Sequence, residues 1–296
     1  MKIAVSGASG FIGSALVPAL AASGHDVIRL VRRESSGPSE VSWDPAAGSL
    51  DPEGLGGVDA IVNLSGATIE RRWTASRKRE IIDSRVDTSS LLARTAAALE
   101  PRPAVFLCAG GAGVYGDRGD EVLTEESSSG AGFLADVCRA WEAAADPARA
   151  AGIRVVNLRH GIVLARGGGA LARLLTPFRL GVGGRIGSGR QWWTWVGMPD
   201  LVAAYAFALA RDLSGAVNLC TPNPVTNEQL THALGRALRR PTVVPLPAFA
   251  ARLAFGEMAD ELLLGGQRAL PGRLLDAGFE FTAPTIDERL AQALTD

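Results

Sequence analysis

Cysteine is scarce in this chain. Its 296 residues hold three, Cys108, Cys138 and Cys220, far apart and never in a CxxC. An odd, scattered set builds neither a disulfide framework nor a zinc site. Net charge is nearly absent as well: 30 Lys and Arg against 31 Asp and Glu leave −1. With no basic footprint, nucleic acid and an anionic membrane are not the expected partners. Long hydrophobic runs are also missing. The stretch LVAAYAFALA is about half of what spans a bilayer and reads as a core helix. Strand-like sequence begins at residue 2, leaving no room for a signal peptide, and a cytoplasmic location is the expectation. No repeat or low-complexity tract interrupts the chain. What is present is apolar sequence, 47% of residues. That is enough for one large domain, or one and a half ordinary ones, with an ample core.

The apolar residues come in alternating short and long runs. KIAVS reads as a buried strand, and IGSALVPALAAS as a helix ended by Gly24. HDVIRLVRR is a second strand, EVSWD a short third, and VDAIVNLSG a fourth. A long helix follows from about Thr74 to Glu100, stopped by Pro101. AVFLCAGG is the next strand, GFLADVCRAWEAAA the next helix, and IRVVNLRHGIVL another strand. Near-continuously apolar strands alternating with helices predict an α/β, doubly wound parallel sheet covered on both faces. We place a dinucleotide-binding core at residues 1–165. A smaller, glycine-rich lobe over the carboxyl edge of the sheet then spans 166–296, and AVNLC is a candidate return to the sheet.

The first strand breaks into Gly7, Gly10 and Gly13, with a helix starting among them. Glycine allows close approach to the backbone, and the free N–H groups and positive end of a helix favour a phosphate. The spacing is GxxGxxG rather than GxGxxG, yet the strand–turn–helix context is the one a dinucleotide needs. Gly7, Ser9, Gly10, Phe11, Ile12 and Gly13 are therefore candidate cofactor contacts. An NAD site carries an acid near the end of the second strand for the ribose 2′-hydroxyl. This chain reads LVRR there, with no acid until Glu34. Arg32 and Arg33 suit a 2′-phosphate, so NADP(H) is the expected cofactor.

With GxxGxxG, NLSG and VYG on the page, the chain resembles the extended short-chain dehydrogenase/reductase superfamily. RRWTASRKREIIDSRVDTS, GIVLARGGGALARLLTPFRLGVGGRIGSGRQWWTW and FGEMADELLLGGQRALPGRLLDAGFEF resemble one atypical, epimerase-like branch of it. That branch ends in a DUF1731-like region, here from about residue 245. The resemblance covers nearly the whole chain and implies an NADP-binding Rossmann domain. It implies cofactor contacts from the glycine loop, Arg32, Leu64, Ser65 and Gly66 of NLSG, Glu80, Arg85 and Val163. On their own residues, Glu80 and Arg85 read as solvated helix charges.

Enzymes of the superfamily carry Tyr-xxx-Lys on the helix after the fifth strand, where the pair handles the proton that accompanies hydride transfer. By register from Glu142 those positions are Leu134 and Cys138, and Gly110 and Gly111 stand where the strand serine would lie. The branch itself departs from Tyr-xxx-Lys. This chain departs further, with His160 in LRHGIVL and with Gly197 and Pro199 in WVGMPD, where a histidine and an acid are common. Two weak catalytic candidates remain. Tyr115 is either a proton donor near the nicotinamide or a packed loop residue. His160 is either near the cofactor or a hydrogen-bonded structural residue. RQWWTW is either a stacking surface, with Arg190 for an anion, or a core-edge cluster. No metal site is expected. Two functions stay open: an NADP(H)-dependent oxidoreductase or epimerase-like enzyme, and an NADP(H)-binding regulatory protein with little turnover. The partner is a small-molecule substrate of unknown identity, and the protein a monomer or homodimer.

Overall fold

The alternation of apolar runs builds one eight-stranded sheet in the computed structural model, which describes residues 1–295. Its strands are β1 (Lys2–Ser6), β2 (Asp26–Val31), β3 (Glu40–Asp44), β4 (Ser49–Leu50), β5 (Ala60–Asn63), β6 (Val105–Gly111), β7 (Arg154–His160) and β8 (Gly215–Leu219). They lie in the order β8-β7-β6-β5-β1-β2-β3-β4. All neighbours are parallel except the terminal pair β3–β4, which is antiparallel. The chain runs outward from β1 in both directions, which puts the carboxyl ends of β1 and β5 at the switch point of a doubly wound sheet.

Side-chain alternation along the strands feeds two cores. Ile3, Val5, Val62, Leu107 and Leu158 pack against Leu16 and Leu20 of α1 (Gly13–Ala22) and against Leu201, Ala204 and Tyr205 of a helix at Met198–Ala210. Ala4, Ile61, Phe106 and Val155 face the other way, toward Leu91, Leu92 and Ala96 of α2 (Ala75–Ala98) and Trp141 of α3 (Phe133–Ala143). Thr74 caps α2 through its side-chain oxygen, which accepts from Arg77 N at 3.1 Å. The expected helix thus starts within one residue of its place and stops two short of Glu100.

The second half of the chain does not stand apart. AVNLC returns to the sheet as β8, beside β7. Ile162–Leu164 pairs with Trp195–Gly197, and Arg268–Ala269 pairs with Val122–Leu123 from the first half. A third core gathers Leu171, Leu175, Phe178, Trp193, Trp195, Leu230, Leu234 and Leu290. Among the described residues no helix is long and apolar enough to cross a membrane.

A buried ionic cluster ties β7, β8, α3 and the turn after β6 together. Arg159 grips Glu142 in a two-pronged pair at 2.7 and 2.9 Å and donates to Tyr115 Oη, which in turn donates to Asn218 Oδ1 at 2.7 Å. The paired side chains are only 11% and 17% exposed. Removing one partner leaves a charge with little water to replace it. Glu142→Gln is expected to cost about 3 kcal/mol in urea unfolding, and Tyr115→Phe about 1 kcal/mol.

Candidate functional site

The three glycines of the first loop do different jobs. Gly7 takes φ +68°, and a Cβ there would stand 2.9 Å from the Leu64 carbonyl. A Cβ on Gly13 would lie 2.3 Å from the Gly7 oxygen and 2.7 Å from Ala8 Cα. Both are thus demanded by the protein's own backbone. Gly10 differs: its Cβ would meet only the Gly7 oxygen, at 3.1 Å, and otherwise faces open space. Beside it, the amides of Phe11, Ile12 and Gly13 donate to no protein atom among the described residues. An exposed glycine, exposed Ser9 and three unpartnered N–H groups meet at the start of α1, the end of a helix that favours an anion. The Phe11 ring is held from above by Gly168 and Gly169, close enough that a Cβ on either would strike it at 2.7 or 3.0 Å.

The next wall is the end of β5. Asn63 is fully buried and accepts from Ser6 Oγ at 2.6 Å and from Ser65 N at 3.1 Å, while its amide donates to Ser89 Oγ at 2.7 Å. It thereby fixes the path of Leu64, Ser65 and Gly66 past the glycine loop. Arg85 lies against Gly66, donates to the carbonyls of Ala67 and Ile81, and stacks its guanidinium over Trp141 at 4.8 Å. Burial lowers its pKa to about 10. It is not the solvated charge that its own sequence context suggests. Glu80 is exposed and paired with Arg77, which also donates to the Thr68 carbonyl in the loop beyond Gly66. Val163, on the short ladder with Val196, borders Gly169 through its carbonyl.

The two arginines ending β2 separate. Arg33 is committed to Glu40, with bonds of 2.8 and 2.7 Å to its two oxygens. That pairing, helped by Ser36, lowers the Glu40 pKa to about 2. Arg32 is exposed and has no hydrogen bond or ion pair among the described residues. The arginine left free for an incoming anion is Arg32.

On the side of α3, Leu134 and Cys138 do face the end of β6. A Cβ on Gly113 would stand 3.3 Å from Leu134 Cβ, and one on Gly111 3.4 Å from Cys138 Sγ. Burial pushes the Cys138 thiol up to about 12, so it stays a neutral packing group. Tyr115 is fully buried in the Arg159–Asn218 cluster, and burial raises its pKa. His160 points away from α3, because its neighbour Arg159 points toward it; its Nε2 lies 2.9 Å from Tyr205 Oη. Of RQWWTW, Trp193 and Trp195 are core, Trp192 is half-buried with its N–H donated to Asp120, and Arg190 is exposed.

Residues 3–220 match the family model described as NAD dependent epimerase/dehydratase family. This chain belongs to that family. Residues 246–293 match a second model, a domain of unknown function, DUF1731. An epimerase family protein of Mycobacterium bovis, Mb2239, is 47% identical over 295 residues, covering 99% of this chain and 97% of its own. The human epimerase family protein SDR39U1 is 37% identical over 99% of both chains. The crystal structure of its isoform 2 with NADPH superimposes with a TM-score of 0.90 at 34% identity, covering all of both chains. A nucleoside-diphosphate sugar epimerase from Corynebacterium glutamicum is similar at 36% identity and a TM-score of 0.83, over 99% of this chain and 58% of the other.

Two residues that position the walls of the site escape a reading of the sequence. Asn63 shows only as part of NLSG, and its spacing to Ser65 is the one hint of a turn held by its side chain. Glu261 gives no hint at all. It reaches α3 from the C-terminal region, where its carboxylate accepts from Phe133 N at 2.6 Å and Leu134 N at 2.8 Å.

Two outcomes follow from this geometry. Gly13→Ala drives a Cβ into the Gly7 carbonyl and is expected to lower the melting temperature by several degrees, while Gly10→Ala changes it little. Burial lowers the His160 pKa to about 4, so its imidazole is neutral at pH 7. The unfolded chain takes up that proton near pH 6.5 and the folded one near 4, so stability falls as pH drops through that window. The His160 ring signals should titrate near pH 4 by NMR, and His160→Gln should flatten the acid-side loss of stability.

Proposed function

We propose that this chain binds NADP(H) and acts with it as an oxidoreductase or epimerase-like enzyme on a small molecule. The observation that carries the reading is the cradle of three unpartnered amides beside Gly10, with Arg32 free at the end of β2 and no acid there. In it, Phe11, Ile12 and Gly13 N–H groups hold the pyrophosphate, Gly10 leaves room for it, and Arg32 takes the 2′-phosphate. Ser65, Gly66, Arg85 and Val163 line the remainder, with Glu80 holding Arg77 at the rim. When bound, the nicotinamide supplies a hydride donor or acceptor. The NADPH in the structure of the similar human protein supports the cofactor choice. Residues 1–165 serve as the cofactor core and 166–296 as the substrate side, with the family-specific region from about 245. The partner is a small molecule, with neither nucleic acid nor membrane involved, in a cytoplasmic monomer or homodimer.

A second reading, binding with little turnover, draws support from the α3 wall. Leu134 and Cys138 offer no proton there, and Tyr115 is sealed in its cluster. Slow reduction of ordinary ketones, well below the ~10 s⁻¹ of a median enzyme, is expected.

Cofactor choice is checked by titrating intrinsic tryptophan fluorescence. NADPH is expected to bind about ten- to a hundredfold tighter than NADH, the range of a charge-assisted bond. Arg32→Ala should erase most of that difference, whereas Arg33→Ala, which breaks the Glu40 pair, should leave a preference. Equal affinities in the wild type would refute the assignment. Gly10→Val should abolish binding of both cofactors with the fold intact.

A further inference from the structure

Beyond β6, at the carboxyl edge of the sheet, lies a cavity of about 330 Å³. Gly113 and Leu134 form its inner side, and Arg252, Asp260, Glu261 and Leu264 of the C-terminal region its outer side. Ligand pockets run from about 300 to 1,000 Å³, so this one sits at the small end. A nucleoside diphosphate sugar needs far more room. Charge argues the same way. Among the described residues Arg252 is the one cation lining the cavity, and its Nε is spent on Asp260 Oδ1 at 2.8 Å. Asp117 and Glu261 remain as carboxylates on the wall. A diphosphate would meet two like charges and no unpaired cation to offset them.

Glu261 is the polar group best placed to hold something here. Each carboxylate oxygen accepts one amide of α3, from Phe133 and Leu134, which fixes the side chain in place. An ionised carboxylate has about four acceptor sites. Two are used, and the residue is half-exposed at the cavity wall. The remaining lone pairs suit a hydroxyl donor. Leu134 and Leu264 supply apolar surface on either side.

On the reading that the chain is an NADP(H)-dependent enzyme, we propose that this cavity is the substrate site. It takes a small uncharged hydroxy- or carbonyl compound rather than a nucleotide sugar, and Glu261 anchors the substrate hydroxyl. The C-terminal region then supplies the substrate contact that Leu134 and Cys138 on α3 do not.

The test is ligand-observed NMR on the full chain saturated with NADPH, using dihydroxyacetone, cyclohexanone, 2-hydroxycyclohexanone and UDP-glucose as probes. The uncharged probes should bind and compete with one another, and UDP-glucose should not bind. Glu261→Ala should weaken the hydroxylated probes by about tenfold or more, as loss of a bond to a charged group does. Leu264→Trp should fill the cavity and abolish binding of all the uncharged probes. NADPH affinity should stay unchanged in both variants. Binding of UDP-glucose, no binding of any uncharged probe, or probe binding indifferent to both substitutions while NADPH still binds would overturn the cavity assignment. Loss of NADPH binding in the wild type would instead overturn the cofactor reading beneath it.

Discussion

The backbone of Gly7 lies against that of Leu64 and Ser65, and the rest of the site depends on that contact. It brings the loop after β1 across the carboxyl end of β5 with no side chain between them. The crossing is possible only because Gly7 takes positive φ, and because Gly13 lets the first turn of α1 close onto the Gly7 carbonyl. Asn63 secures the other side by bonding to Ser6 and Ser65 at once. Once both chains are pinned, the amides of Phe11, Ile12 and Gly13 have no protein acceptor among the described residues. The set of unpartnered amides is thus a by-product of how two strands meet at the switch point.

A similar economy governs the charges. Arg33 and Arg32 are adjacent, but one is consumed by Glu40 and so stiffens the turn beside the other. Arg159 is consumed by Glu142, which removes Tyr115 from solvent and fixes α3 against β7. At the head of α3, Glu261 satisfies two amides that the helix cannot satisfy itself. The helix α3 is held at both ends, by Glu261 and by Arg159.

Much of the fold is legible from residue order. The apolar runs locate β1, β5 and β6, buried along most of their length as central parallel strands are, and the more mixed DVIRLV, EVSWD, RVVNLRH and GAVNL still locate β2, β3, β7 and β8. What the sequence conceals is which of several identical residues has which task. Gly7, Gly10 and Gly13 look alike until their neighbours are known, and those neighbours include Leu64, more than fifty positions away. Arg32 and Arg33 cannot be told apart without the pairing of β2 with β3 that delivers Glu40. Glu261 is farther still from Leu134, and only tertiary structure brings a C-terminal acid to that helix. Arg85 reads as a surface charge because its shield, Trp141, comes from another helix.

The central claim is that the unpartnered amides at the head of α1 hold the cofactor's pyrophosphate. Residue-resolved amide hydrogen exchange, followed by NMR with and without saturating NADPH, tests it directly. The Phe11, Ile12 and Gly13 amides should exchange fast in the free protein and be strongly protected once NADPH is bound, while the amides of β6 change little. Exchange at those three amides that NADPH leaves unaltered, although it binds, would contradict the account.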